Sequence, residues 1–354
     1  MSRYIVAGAV QRDLSTAKSG KIMALKEFKI TRPTVVCLGG DQTDTPGKAN
    51  NMCRTIERII GLKVGGPKEF ATYNYIDVVG LFYGRDEQSD KTACFTEEDR
   101  DEIVNHILLP LCVDENGNLL PLKQICKNFS LINFFTHCHG AYELYKITQK
   151  LHNILLDKGL TNEQAHKIYA QSFHCSYAAN HNESFYPTMY IYSLTDKNYM
   201  FMEQLYRENY GEILDGVSIK HDVPGKFLTE NICSRNYNEH VHHDTITVLS
   251  SRLINVPENK GFHNIYDEHS YIYLDRDEEN WRLLGEKKKH KIPYANNADL
   301  VSQMFAYAMA VNIACSLRTY CSDTLVERMS ILDLKQELED LACSYKSEDL
   351  QRAK

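Results

Sequence analysis

Leu131-Ile132-Asn133-Phe134-Phe135-Thr136-His137-Cys138-His139-Gly140-Ala141 is the stretch on which the fold reading turns. Its first five residues form a short, mostly apolar run, and an amphipathic segment follows from Ala141 to about Lys158. That pattern predicts a buried strand running straight into a helix through a tight turn. Cys138 falls on the turn, where the backbone folds too sharply for bulky neighbours, so the small residues Thr136 and Gly140 stand two before and two after it.

The same grammar recurs upstream. Val35-Val36-Cys37-Leu38 closes on Gly39-Gly40-Asp41 and is followed by an amphipathic stretch from Ala49 to Ile60. Asp77-Val78-Val79-Gly80-Leu81-Phe82-Tyr83-Gly84 is a second strand ending in glycine, and Thr96-Glu97-Glu98-Asp99 is a helix cap. Strands that read as continuous apolar runs and alternate with helices predict a parallel sheet buried on both faces. Before them, Tyr4 to Val10 and Ile22 to Ile30 predict a starting hairpin. Beyond Gly159 we expect a Tyr- and His-rich loop over Ser172 to Tyr186, strands at Thr188 to Ser193 and Thr245 to Leu249, and two closing helices, Asp299 to about Tyr320 and Thr324 to about Tyr345. The fold class is therefore α/β: a mostly parallel central sheet with helices on both faces, a cap or insertion region and a helical C-terminus. One elaborated domain is expected over 1–325, with insertions at about 85–128 and 160–243 and a helical tail at 326–354.

Composition narrows the function classes. Hydrophobic residues make up 43% and charged residues 25% of the 354, enough apolar side chain for a large core. Forty basic against 47 acidic residues leave −7, which disfavours nucleic acid as a partner, because duplex affinity comes mainly from clustered Lys and Arg. Lys287 to Lys289 form the only dense basic run, and they read as a solvated turn. Eleven cysteines without a Cys-x-x-Cys pattern point to free thiols in a reducing, cytoplasmic compartment. Ile5 to Val10 is too short for a signal-peptide core, and no transmembrane segment is expected. Neither Gly-x-Gly-x-x-Gly nor a P-loop pattern occurs, so no nucleotide cofactor is expected.

The turn Thr136-His137-Cys138-His139-Gly140-Ala141 resembles the nucleophile elbow of the α/β-hydrolase superfamily, commonly Gly-His-Ser-x-Gly-Gly. It matches at His137 and Gly140, replaces the outer glycines by Thr136 and Ala141, and carries Cys138 in the place of serine. Val35 to Gln42 is similar to the third strand and oxyanion loop of that superfamily, with Leu38-Gly39 where a histidine-glycine pair usually stands. Asp77 to Gly84 is similar to its fourth strand. The resemblance covers about residues 30 to 160. It implies an enzyme, a hydrolase or acyltransferase, attacking the carbonyl of an acyl substrate with Cys138. His269 is then the base, with His263 the other late candidate, and Asp196 the acid; the more usual place for the acid, beyond Leu249, offers no aspartate nearby. Backbone N–H groups of Gly40 or Asp41 and of His139 would hold the oxyanion. The Tyr- and His-rich stretch from Phe173 to Val241 falls where such enzymes insert a lid.

Two other readings compete. His137-x-His139 pairs two imidazoles that, with His240, His242, His243 and Asp244, could hold zinc or manganese. Alternatively the chain is a non-catalytic relative acting as a binding or effector protein. Its glutamates Glu337, Glu339 and Glu348 resemble those of the C-terminal signals on type IV secretion effectors, which would imply delivery to a host cytosol by a non-Sec route.

Overall fold

Val35, Cys37 and Phe135 pack into one hydrophobic core while their neighbours Val36, Leu38 and Phe134 pack into another. Successive residues of a strand point to opposite faces, so two cores on alternating residues mean a sheet covered on both sides. The computed structural model describes residues 8–13, 21–40, 43, 45–50, 52, 53, 56, 76–83, 95–179, 181, 183–193, 232–237, 242–250 and 295–352. Among these residues nine strands form one sheet: β1 (Gly8–Asp13), β2 (Lys21–Ala24), β3 (Thr34–Leu38), β4 (Asp77–Phe82), β5 (Ile132–His137), β6 (Phe173–Tyr177), β7 (Thr188–Ser193), β8 (Ile232–Tyr237) and β9 (His242–Ser250). Their order across the sheet is β2-β1-β4-β3-β5-β6-β7-β9-β8. The strands β4, β3, β5, β6, β7 and β9 run parallel, and antiparallel pairs close the edges: β1 with β2 and β4, and β8 with β9.

Helices α2 (Glu97–Ile103), α3 (Leu122–Phe129), α4 (Gly140–Asp157) and α5 (Asn162–Tyr169) contribute to the core on the Val36 face. The helix α1 (described residues between 46 and 56), α6 (Ala295–Ser322) and α7 (Ile331–Arg352) contribute to the core on the Val35 face. Helix α1 starts at a threonine cap, where the Lys48 N–H donates to Thr45 Oγ1 at 3.4 Å, followed by Pro46. Proline suits a first helical position, since the N–H it lacks would have no partner there. Thr96 and Asp99 form a reciprocal capping box on α2, as the sequence pattern implied. Ile331, Leu334 and Leu338 are buried, so the first turns of α7 are packed into the domain. Among the described residues no helix is long and apolar enough to cross a membrane.

The strand expected over Ile22 to Ile30 ends at Ala24 and passes into a 3-10 turn, β8 was not expected as a strand, and two further strands depart from the sequence reading. The strand expected to end at Phe135 continues through Thr136 to His137, and Phe173–Tyr177, expected inside a loop, is the central strand β6. The cause is a polar ladder within the sheet. The Thr136 hydroxyl donates to Ser176 Oγ at 2.7 Å and also lies 2.7 Å from His174 Nε2. His174 Nδ1 in turn contacts Ser184 Oγ at 3.3 Å and Thr188 Oγ1 at 3.2 Å. These residues satisfy one another, so a polar strand can be buried without the cost of unpaired groups. Of the segment expected as the second insertion, 160–243, α5, β6, β7, β8 and the start of β9 belong to the helix-and-sheet framework, and 180, 182, 194–231 and 238–241 lie outside the described residues.

His174 has a measurable consequence. Burial pushes its imidazole down to about 3, whereas an unfolded histidine titrates near 6.5. Between those values the unfolded chain binds the extra proton and the folded chain does not, so stability falls as pH is lowered from 6.5 towards 3. This one group contributes a slope of about 1.4 kcal/mol per pH unit. Urea midpoints measured across that window should flatten in His174→Gln relative to the unmodified chain; parallel curves would show that His174 is not the buried neutral group described.

Candidate active site

The carboxyl ends of β4, β3, β5 and β6 meet at one edge of the sheet, and the register places Leu38 of β3 beside both Leu81 of β4 and Thr136 of β5. The glycine loop after β3 and the turn after β5 are therefore neighbours. Cys138 occupies that turn with φ of +51°, in the left-handed region that residues with a Cβ rarely adopt. Its N–H donates to the Tyr177 carbonyl at 3.1 Å and its carbonyl accepts from Ala141 N–H at 3.2 Å, which locks the turn between β6 and α4. Ala178, at the end of the adjacent strand, is left-handed as well, with φ of +49°. Left-handed non-glycine residues tend to cluster at functional sites, where the surrounding structure holds the strain.

Helix α4 begins immediately behind Cys138, so the positive end of its dipole lies beside the thiol. Cys138 is partly exposed, while Cys37, Cys53, Cys112, Cys126, Cys175 and Cys315 are buried. Burial pushes the Cys112 thiol up to about 12 and raises those of Cys175 and Cys126, which keeps these three protonated and unreactive near neutral pH. Gly40 lies against the turn. A Cβ added to it would come within 2.8 Å of Cys138 Cβ, 3.4 Å of Cys138 Sγ and 3.5 Å of His137 Nδ1. Only glycine lets the loop backbone approach the thiol this closely. The Gly40 carbonyl accepts from Thr43 N–H at 2.9 Å and from the Tyr83 hydroxyl.

The two histidines flanking Cys138 have different surroundings. His137 is buried and stacks on Tyr177, with ring centroids 6.2 Å apart. His139 Nε2 lies 3.1 Å from Glu143 Oε1, one helical turn on, and its ring packs near Tyr142. Glu143 is fully buried and also accepts from Arg100 Nε at 2.8 Å and Nη2 at 2.9 Å. Burial pushes the Glu143 carboxyl up, but hydrogen bonds from His139 and Arg100 outweigh it and hold the group below its ordinary value. Glu143 thus holds a charge under the elbow and orients the imidazole next to the thiol. Arg100 lies 43 residues from Glu143, and no local pattern announces that pair; the His139–Glu143 contact follows the i, i+4 helix spacing and could have been found from it.

The structure brings Cys138, Gly40 and His139 together at one sheet edge. Asp41, Asp196, His269 and the alternative His263 lie outside the described residues, as does His240 of the metal reading. His242, His243 and Asp244 lie on β9. Among the described residues no three His, Cys, Asp or Glu side chains group to hold a metal ion, and His139 is turned to Glu143 while His137 stacks on Tyr177. Chemically, the described arrangement offers a thiol at a helix N-terminus, a close glycine backbone and an imidazole tied to a buried carboxylate. Neither a protein-family model nor a curated protein matches the chain.

Proposed function

We propose that the chain is a hydrolase or acyltransferase of the α/β-hydrolase kind, which attacks an ester, thioester or amide carbonyl through Cys138. The observation that carries the reading is the left-handed Cys138 between β5 and α4, pressed against Gly40 of the neighbouring strand's loop. Further support comes from the three segments on which the resemblance rests: their strands β4, β3 and β5 lie side by side with carboxyl ends together.

In this reading the Cys138 thiolate attacks the carbonyl carbon, and backbone N–H groups of Gly40 or Asp41 and of His139 receive the tetrahedral oxyanion. Collapse expels the leaving group and forms a thioester, and water or an acceptor nucleophile then releases the acyl group. His269 is the proposed proton carrier and Asp196 its orienting acid, as the chain order nucleophile, acid, histidine implies.

The test is Cys138→Ala against a panel of p-nitrophenyl esters, read beside iodoacetamide labelling of the unmodified chain. Ester turnover should fall by more than about a hundredfold, and Cys138 should label faster than the exposed Cys321. Full activity in the variant would discard the nucleophile. Labelling of Cys138 no faster than that of Cys321, with no ester turnover, would favour the binding or effector reading.

A further inference from the structure

We infer that Tyr83 is a positioning residue for this site: its hydroxyl clamps the Gly40 carbonyl and so holds the glycine loop against Cys138 in the orientation that oxyanion stabilisation needs. The inference rests on the reading of Cys138 as the nucleophile.

Tyr83 follows directly on β4, and its ring is almost completely buried, edge-on to Phe95 with centroids 5.1 Å apart. Its hydroxyl donates to the Gly40 carbonyl, which also accepts from Thr43 N–H at 2.9 Å. A carbonyl oxygen has two lone pairs, so two donors hold it from two directions. Holding that oxygen from two directions restrains the Gly40 carbonyl from turning. Rotation of the loop about Gly40 breaks the hydrogen bond from the buried Tyr83 hydroxyl to the carbonyl.

The clamp matters because of where Gly40 sits. Its missing Cβ would stand 2.8 Å from Cys138 Cβ, so loop and thiol are already at contact distance. Oxyanion stabilisation depends on donor placement to within a fraction of an ångström, and a misplacement of about 1 Å can cost on the order of 100-fold. A phenylalanine at this position would fill the same space beside Phe95 but remove the hydroxyl's hold on the carbonyl.

The test compares two reactions of the same thiol in Tyr83→Phe and in the unmodified chain. In the first, Cys138 Sγ forms a bond to the acetyl carbon of p-nitrophenyl acetate, the ester C–O bond breaks, p-nitrophenolate leaves with the electron pair, and the thiol proton passes to the buffer. This route runs through a tetrahedral oxyanion. In the second, the same sulfur displaces iodide from iodoacetamide, and no oxyanion forms. The first is read as the initial release of p-nitrophenolate above that of Cys138→Ala, and the second on the Cys138 peptide by mass spectrometry. We expect Tyr83→Phe to lower the acetylation rate about tenfold or more while alkylation stays within about twofold. The ratio of the two rates cancels any loss of folded protein. Phe95→Leu, which loosens the ring but keeps the hydroxyl, should leave the ratio unchanged. An unchanged ratio in Tyr83→Phe overturns the clamp while leaving Cys138 as the nucleophile. No p-nitrophenolate release from the unmodified chain above that of Cys138→Ala overturns the nucleophile itself, and the clamp with it.

Discussion

Replacing Gly140 by alanine should destabilise the protein by more than about 3 kcal/mol, the upper end of what overpacking costs. Gly140 opens α4 at the point where the helix crosses the end of β3. A Cβ there would stand 2.3 Å from the Leu38 carbonyl oxygen, 2.8 Å from its carbon and 2.9 Å from the Gly39 oxygen. All three are backbone atoms of a buried strand end, so no side chain can swing away to make room. Relief requires either lifting α4 from the sheet or bending β3, and both break contacts in the core that α4 shares with β3 and β5. A domain stable by about 5–15 kcal/mol loses much of its margin by such a change. Urea unfolding followed by circular dichroism checks this. Gly47→Ala in α1, where the nearest atom to an added Cβ is Thr45 Oγ1 at 4.0 Å, is the control and should be neutral or stabilising by about 1 kcal/mol. Equal urea midpoints for Gly140→Ala and the unmodified chain would mean that α4 does not press on β3 as described.

Arg328→Met should cost about 3 kcal/mol or more, because it leaves several buried neutral acceptors without their donor, each at about 1–3 kcal/mol. Arg328 lies between α6 and α7, and its guanidinium reaches the amino ends of β5 and β6. It donates to the carbonyls of Ser130 at 2.9 Å, Ile132 at 3.4 Å and Asn312 at 3.1 Å, and to the Gln171 carbonyl. It also donates to Asn133 Oδ1, Asn312 Oδ1 and Ser316 Oγ, each at 3.0 Å. Asn133, Asn312 and Ser316 are buried, and each would lose this donor in the variant. Burial brings the guanidinium down to about 10, so it remains charged at neutral pH and is held by neutral oxygens. Arg328→Lys should not rescue the loss, because a single ammonium with three donors cannot span acceptors on two strands and a helix. A wild-type urea midpoint for the lysine variant would show that charge alone, and not the fork of donors, holds this corner together.

Local chemistry carried much of the framework. The apolar runs of β3, β4 and β5, the glycine loop after β3 and the turn at Cys138 were legible because each depends on near neighbours. A strand buried on both faces needs a continuous apolar run, and a strand that turns sharply into a helix needs small residues at the bend. The strand β6 was missed for the complementary reason. In Phe173-His174-Cys175-Ser176-Tyr177 the polar members point at Thr136 and Thr188, partners on other strands, so polarity hid a strand that tertiary pairing made buriable.

The sequence by itself determined the α/β class, the alternation of strands with helices and the placing of Cys138 on a turn between β5 and α4. These follow from periodicity and from the steric demands of a few adjacent residues. Only the tertiary structure decided the strand order, the approach of Gly40 to Cys138, the hold of Tyr83 on the Gly40 carbonyl, the Arg100–Glu143 pair beneath His139 and the Arg328 network. Each of these joins groups dozens of residues or more apart. A hydrogen-bonding side chain carries no mark of which distant acceptor it will meet, and only the packed sheet supplies that partner.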